Sequence, residues 1–131
     1  MKLLLDTHVW FWCLTEPERL TKRVASALDS AANQLWFSPI SIWEIGLLRQ
    51  KGRISLKGDL NEWVQKAMAI APMNEAPITL EIALETAALS HALRDPADRF
   101  LAATARLLGL TLVTADEQLI SSKECTTLPN R

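Results

Sequence analysis

The 131-residue sequence predicts an α/β fold, with a mostly parallel central sheet between layers of helices, and three observations carry that expectation. Leu3-Leu4-Leu5 and Leu110-Thr111-Leu112-Val113 are short, nearly continuous apolar runs of the kind found in strands buried on both faces. The long stretches between strand candidates place apolar residues at helical spacing. The resulting order, strand–helix–helix–strand–four helices–strand, implies crossover connections rather than hairpins.

Asp6 closes the first strand at its carboxyl end. Thr7 and His8 lead into Val9-Trp10-Phe11-Trp12-Cys13-Leu14, apolar nearly all round, which predicts a short helix packed on two sides or against a partner chain. Trp10 and Trp12 cannot both face one core; plain packing and a partner surface both remain open for them. Thr15-Glu16-Pro17-Glu18 breaks this helix, and Thr21 can cap a second one carrying Val24, Ala27, Leu28 and Ala31 on one side. A strand follows over Gln34 to Ser38 and ends at Pro39.

Ser41 then opens a helix running to about Lys51, with Gly52 as its stop. Ser41-x-x-Glu44 matches a capping box, which accounts for Glu44 on local grounds alone. Arg49, Lys51, Arg53 and Lys57 form a basic segment that reads as a solvated face, or as a phosphate-contacting strip if it adjoins a site. Asp59 caps the next helix, with Glu62 three residues on and Leu60, Trp63, Val64, Ala67 and Met68 along one side. Pro72 and Pro77 bracket a connector, and a helix is expected from about Leu80 to Leu93, with His91 near its end to bind the last carbonyls.

Asp95 is a good N-cap, Pro96 suits a first helical position, and Gly109 supplies the left-handed residue that ends the following helix. Asp98 therefore lies in that helix's first turn. The strand Leu110 to Val113 puts Asp116 just past its carboxyl end, where Asp116 also caps a helical turn over Glu117 to Ile120. Cys125-Thr126-Thr127-Leu128 suits an edge strand.

Composition narrows the class. At 49% hydrophobic residues, with no repeat, linker or low-complexity tract, residues 1–131 read as a single domain. The longest unbroken apolar run, Val9 to Leu14, falls far short of the ~18 residues of a membrane span, and Asp6 interrupts the start too early for a signal peptide, so a cytoplasmic protein is expected. Cys13 and Cys125 have no metal-type or disulfide spacing. A net charge of −1 gives no global attraction to nucleic acid, so such binding requires a local patch or a metal.

Asp6 and Asp116 follow strands, while Glu44 and Asp98 are expected in the first turns of helices, so a parallel sheet brings all four to one edge. Each has a local explanation as a cap or loop residue; their joint placement is the functional signal. Four carboxylates in one crevice repel, helix N-termini relieve only about 0.3–1 kcal/mol each, and a hard divalent cation resolves the conflict. All-oxygen ligands favour Mg²⁺ or Mn²⁺ over zinc, and such a site suits phosphodiester hydrolysis.

The motifs Leu3-Leu4-Leu5-Asp6-Thr7-His8, Ser41-Ile42-Trp43-Glu44-Ile45, Asp95-Pro96-Ala97-Asp98-Arg99-Phe100-Leu101-Ala102-Ala103-Thr104-Ala105 and Leu112-Val113-Thr114-Ala115-Asp116, in this order, resemble the PIN domain, and within it the VapC-like ribonuclease toxins of type II toxin–antitoxin modules. The resemblance covers nearly the whole chain and implies a PIN-like three-layer sandwich and an Mg²⁺- or Mn²⁺-dependent endoribonuclease. It implies metal ligation and water activation for Asp6, Glu44, Asp98 and Asp116, with Asp98 rather than Asp95 matching the metal-site acid. Thr7 and Thr114 match small polar positions that support the acids from behind. Arg99 is a candidate to pair with Asp98 or to touch phosphate, the pairing being put first. The resemblance further implies a homodimer and a cognate antitoxin lying over the crevice, one of whose basic side chains can stand in for the metal; an exposed aromatic surface near Trp10 and Trp12 would suit one of these interfaces.

Two other classes compete. A non-catalytic binding module would keep the fold and use the acids only as caps. A phosphoacceptor domain with Asp6 as nucleophile would want a lysine on a late strand, and none lies between Lys66 and Lys123.

Overall fold

The computed structural model describes residues 1–131 and contains a five-stranded, wholly parallel sheet in the order β3-β2-β1-β4-β5. The strands are β1 (Lys2–Leu5), β2 (Gln34–Phe37), β3 (Asn74–Glu75), β4 (Thr111–Thr114) and β5 (Thr127–Pro129). The helices are α1 (Thr7–Thr15), α2 (Lys22–Asp29), α3 (Pro39–Gln50), α4 (Leu60–Ile70), α5 (Leu80–Ala88), α6 (Pro96–Leu108) and α7 (Glu117–Ser122).

The alternation of side chains along β1 divides the core. Leu4 faces a layer built from Ile82 and Leu89, Leu101 and Ala105 of α6, Leu112 and Leu119. Leu3 and Leu5 face Val9, Trp10, Val24, Phe37, Ile45 and Ala67 on the other side. All three leucines are at most 1% exposed, as a central strand sandwiched between two helical layers requires. Burying each stabilises the fold by about 1.5–3 kcal/mol before entropy is counted.

The chain starts in the middle of the sheet, builds outward through β2 and β3, then crosses back to add β4 and β5 on the other side of β1. The gap between β1 and β4 is consequently the topological switch point, where such sheets open a crevice at the carboxyl ends of their strands. Asp6 and Asp116 follow these two strands.

Several expected boundaries move. The helix after β2 starts at Pro39, not Ser41: Ser38 is its N-cap, accepting from the Ile40 N–H at 3.2 Å, and proline's fixed φ suits the first position. The Ser41–Glu44 capping box therefore does not form, and Glu44 lies in the second turn of α3 rather than its first. The helix expected to reach Leu93 stops at Ala88, with Leu89 extended, so His91 sits in an exposed turn and caps nothing. The connector between Pro72 and Pro77 carries β3, two residues pairing with Trp36 and Phe37. The expected edge strand forms as β5, shifted to Thr127–Pro129; the proline is tolerated there because an edge strand has one free side. Gly109 has φ +64° and closes α6 in the left-handed conformation.

Candidate active site

At the switch point opens a cleft of about 840 Å³ lined by all four expected acids, Asp6, Glu44, Asp98 and Asp116, together with Asp95 and Glu16. Each acid is delivered by a different element. Asp6 is the N-cap of α1 and Asp116 the N-cap of α7, accepting from the Gln118 and Leu119 N–H groups; Asp98 is in the first turn of α6, and Glu44 projects from α3. In a right-handed parallel architecture the helix following a strand begins at that strand's carboxyl end, so helix N-termini and carboxylates collect on one rim.

Asp6 is 5% exposed and its orientation is locked at both oxygens. The Thr7 N–H donates to Oδ1 at 2.7 Å and the Thr114 hydroxyl donates to Oδ2 at 2.7 Å. Thr114 Oγ1 in turn accepts from the Asp116 N–H at 3.0 Å, so one hydroxyl ties the backbone of one acid to the carboxylate of another. The Thr7 hydroxyl points elsewhere, donating to Ser41 Oγ at 2.9 Å, and thereby pins α1 to α3, the helix that bears Glu44. Ser41 thus has a role in the site's framework that its reading as a cap concealed. Asp98 uses its backbone, its N–H donating to Asp95 Oδ1 at 3.0 Å, and the residue is 7% exposed.

The electrostatics follow from this crowding. Burial pushes the Asp6 carboxyl up to about 6, against lowering by its Thr114 hydrogen bond and by His8, with Glu44 raising it. Burial, reinforced by Asp6, Asp95, Asp116 and Glu44, pushes Asp98 up to about 8. The molecule's salt bridges are Arg19–Glu16, Arg106–Glu85, Arg106–Glu124 and Arg131–Glu117, so Asp6, Glu44, Asp98 and Asp116 are in no salt bridge. The four share one cleft without three of them converging on a single point. Their donor set is nevertheless entirely oxygen, with Asp6 and Asp98 raised first by burial and then by neighbouring carboxylates, and fits a hard divalent cation.

Arg99 departs from both roles expected of it. It neither pairs with Asp98 nor lines the cleft; its two terminal nitrogens donate to the carbonyls of Thr86, Leu89, Ser90 and Leu93 at 2.6–3.2 Å. The end of α5 leaves carbonyls without helical partners, and the forked guanidinium satisfies them. The aromatic surface expected near Trp10 and Trp12 is reduced to part of the cleft wall: Trp10 is fully buried against Phe37 and Trp63, while Trp12, half-buried beneath Arg19, lines the cleft with Phe11. Of the basic segment after α3, Arg53 reaches the cleft, while Arg49, Lys51 and Lys57 do not. His8, Trp12, Arg19 and Arg53 are lining residues that the sequence reading did not assign to the site; the tryptophan-rich helix directly after Asp6 was the available signal.

Known proteins share this fold. The chain is 34% identical over 122 residues to Ribonuclease VapC22 of Mycobacterium tuberculosis, covering 92% of both. Among solved structures, its fold matches VapBC2 from Rickettsia felis bound to a DNA fragment from their promoter, with TM-score 0.70, 17% identity and 98% of each chain covered. It likewise matches a toxin-antitoxin complex from Klebsiella pneumoniae, with TM-score 0.66, 18% identity and 98% of each chain covered. The PIN domain family model matches residues 3–123, which takes in β1 through α7 and all four acids, and this chain belongs to the PIN domain family.

Proposed function

We propose that this protein is a divalent-metal-dependent endoribonuclease that hydrolyses RNA phosphodiester bonds, and that it is the toxin of a toxin–antitoxin pair acting in the cytoplasm. The observation that carries the reaction is the cleft at the switch point, which Asp6, Glu44, Asp98 and Asp116 line together, none of them in a salt bridge. The reaction class is supported by the ribonuclease that shares 34% of its residues across nine-tenths of both chains.

Asp6, Glu44, Asp98 and Asp116 would hold Mg²⁺ or Mn²⁺, which when bound supplies neutralisation of phosphate charge and acidification of a water molecule. Thr7 and Thr114 fix the direction in which Asp6 presents its lone pairs. Asp98 retains its proton to about pH 8 and must surrender it to act as a ligand, so metal affinity rises with pH through that range. Burial of Asp6 and Asp98 restricts the water available to compete in the site.

An antitoxin partner is supported by the VapBC and toxin-antitoxin structures that share the fold. A homodimer is supported by the apolar side chains of Leu80, Leu84, Leu107 and Leu108, each 43% exposed or more, on α5 and α6. No helix is long and apolar enough to cross a membrane.

The test is digestion of total cellular RNA by protein freed of copurifying partners, with Mg²⁺, Mn²⁺ or EDTA, beside Asp6→Asn and Asp98→Asn. Discrete fragments that need metal and disappear in both folded variants are expected, with at least a 100-fold loss of rate. Undiminished cleavage by both variants overturns the site. Absence of cleavage together with absence of Mn²⁺ binding by calorimetry replaces the enzyme with a binding module of the same fold.

A further inference from the structure

One wall of the cleft carries side chains that the metal-site reading does not use. His8, Phe11 and Trp12 of α1 line it, followed by Arg19, while Arg53 enters from the loop after α3. The Arg19 guanidinium carbon lies 4.4 Å from the centre of the Trp12 ring, and the His8 ring packs on the same indole with centroids 5.7 Å apart. Phe11 stacks on Trp63 of α4 at 5.9 Å, which holds this wall in place. Arg19 also pairs with Glu16 at 3.3 Å, yet its side chain remains 54% exposed. The guanidinium therefore has one face on an indole and open solvent on its other side. An exposed pair with a glutamate three residues away is a weak reason to hold it there.

A strand of RNA brings one negative charge per nucleotide toward a cleft lined by Asp6, Glu16, Glu44, Asp95, Asp98 and Asp116. Arg19 and Arg53 are the arginines in that lining, and there is no lysine. A planar guanidinium backed by an aromatic ring is a stacking surface for a nucleobase, and it accepts only bases that are not already paired and stacked in a duplex.

We propose that the Arg19–Trp12 stack is a nucleotide subsite that takes one unpaired base of single-stranded RNA beside the bond to be cut, with Arg53 facing the backbone phosphate. The inference rests on the ribonuclease reading of the cleft. Arg19 acts as a plane and Arg53 as a charge, and the two behave differently on substitution.

Fluorescence anisotropy of a short labelled oligouridylate, measured in the Asp98→Asn background with Mg²⁺, separates them. Arg19→Ala and Arg19→Lys each weaken binding about tenfold, the lysine variant because it keeps the charge and loses the plane. Arg53→Ala lowers the slope of log affinity against log salt by about 0.7, and Arg53→Lys restores it. An abasic oligomer of equal length binds the Arg19→Lys and Asp98→Asn proteins alike. Arg19→Lys binding the oligouridylate as well as the background protein overturns the subsite, as does lack of binding by the background protein itself. Arg19→Ala that binds RNA normally but loses a copurifying protein partner assigns the surface to that partner and overturns it too. Cleavage reports separately: if the parent itself does not cut RNA in Mg²⁺ or Mn²⁺, the ribonuclease reading falls; if the parent cuts, the acid variants do not, and Arg19→Lys binds normally, the subsite alone falls.

Discussion

Thr114 is the residue through which two of the acids communicate, since its hydroxyl donates to Asp6 Oδ2 and accepts from the Asp116 N–H. The hydrogen bond favours the ionised form of Asp6 and partly offsets the burial that raises it to about 6. Thr114→Val keeps the branched shape, removes the donor and pushes the Asp6 carboxyl higher. A hydrogen bond to a charged group contributes about 1.5–3 kcal/mol, so cleavage at neutral pH is expected to fall about tenfold or more and to recover partly as pH rises. A pH–rate profile in Mn²⁺ checks this, and an acid limb that stays where the parent's lies would detach Thr114 from Asp6. The shared edge of Asp6 and Asp116 was legible in the sequence because both follow short apolar runs, and strand ends can be read from a pattern; Thr114 entered only through the family resemblance. Glu44 was legible as a site acid but with the wrong local context: the Ser41 capping box looked sufficient, whereas Pro39 starts the helix earlier and frees Glu44 from any capping duty.

At the scale of elements, the junction between α5 and α6 depends on Arg99. Its guanidinium takes four carbonyls spread over residues 86–93, so it both finishes α5 and fixes the turn that leads to Asp95 and the site helix. Arg99→Ala leaves these carbonyls to water where water can reach them and unpaired where it cannot. An expected cost of about 2–4 kcal/mol follows, with only partial rescue by Arg99→Lys because an ammonium cannot reproduce the planar fork. Urea denaturation measures it, and a change within about 0.5 kcal/mol would show that the turn holds without the arginine. This junction also explains where sequence reading stopped working. Ala88-Leu89-Ser90-His91-Ala92-Leu93 continues a helical pattern with no glycine or proline to end it, and the ending is imposed by a side chain from the next helix. The two residues of β3 are too short to show an alternation, and only their pairing with β2 reveals them. By contrast, Asp95, Pro96 and Gly109 announce the ends of α6 locally, and both ends lie where those residues put them.

For the whole molecule, the topology that creates the crevice also stores electrostatic repulsion in it. Beginning the chain in the central strand and adding strands to both sides forces Asp6 and Asp116 to the switch point, and the helices around it add Glu44 and Asp98. The folded chain holds the Asp6 proton to about pH 6 and the Asp98 proton to about pH 8, against an ordinary value of 3.8 for both. Between about pH 4 and pH 8 the folded state thus binds more protons than the unfolded state, and metal-free stability falls as pH rises, levelling off above about 8. Asp98→Asn removes the group with the larger shift, so at pH 8 in EDTA this variant should be more stable than the parent by about 1–3 kcal/mol, a rise of several degrees in Tm. Near pH 4, where Asp98 is protonated in the parent too, the two proteins should melt together. Mn²⁺ at pH 8 should close or reverse this gap, because a ligand at 100 times its Kd stabilises the parent by about 2.7 kcal/mol and the variant lacks one of the groups proposed to hold it. Thermal melts at these two pH values, with EDTA and with Mn²⁺, decide the matter: a metal-free parent as stable at pH 8 as at pH 4 would mean that burial and crowding do not penalise the ionised acids enough to need a cation. The opposite result ties the cleft's function to a cost that the fold carries whenever the metal is withheld.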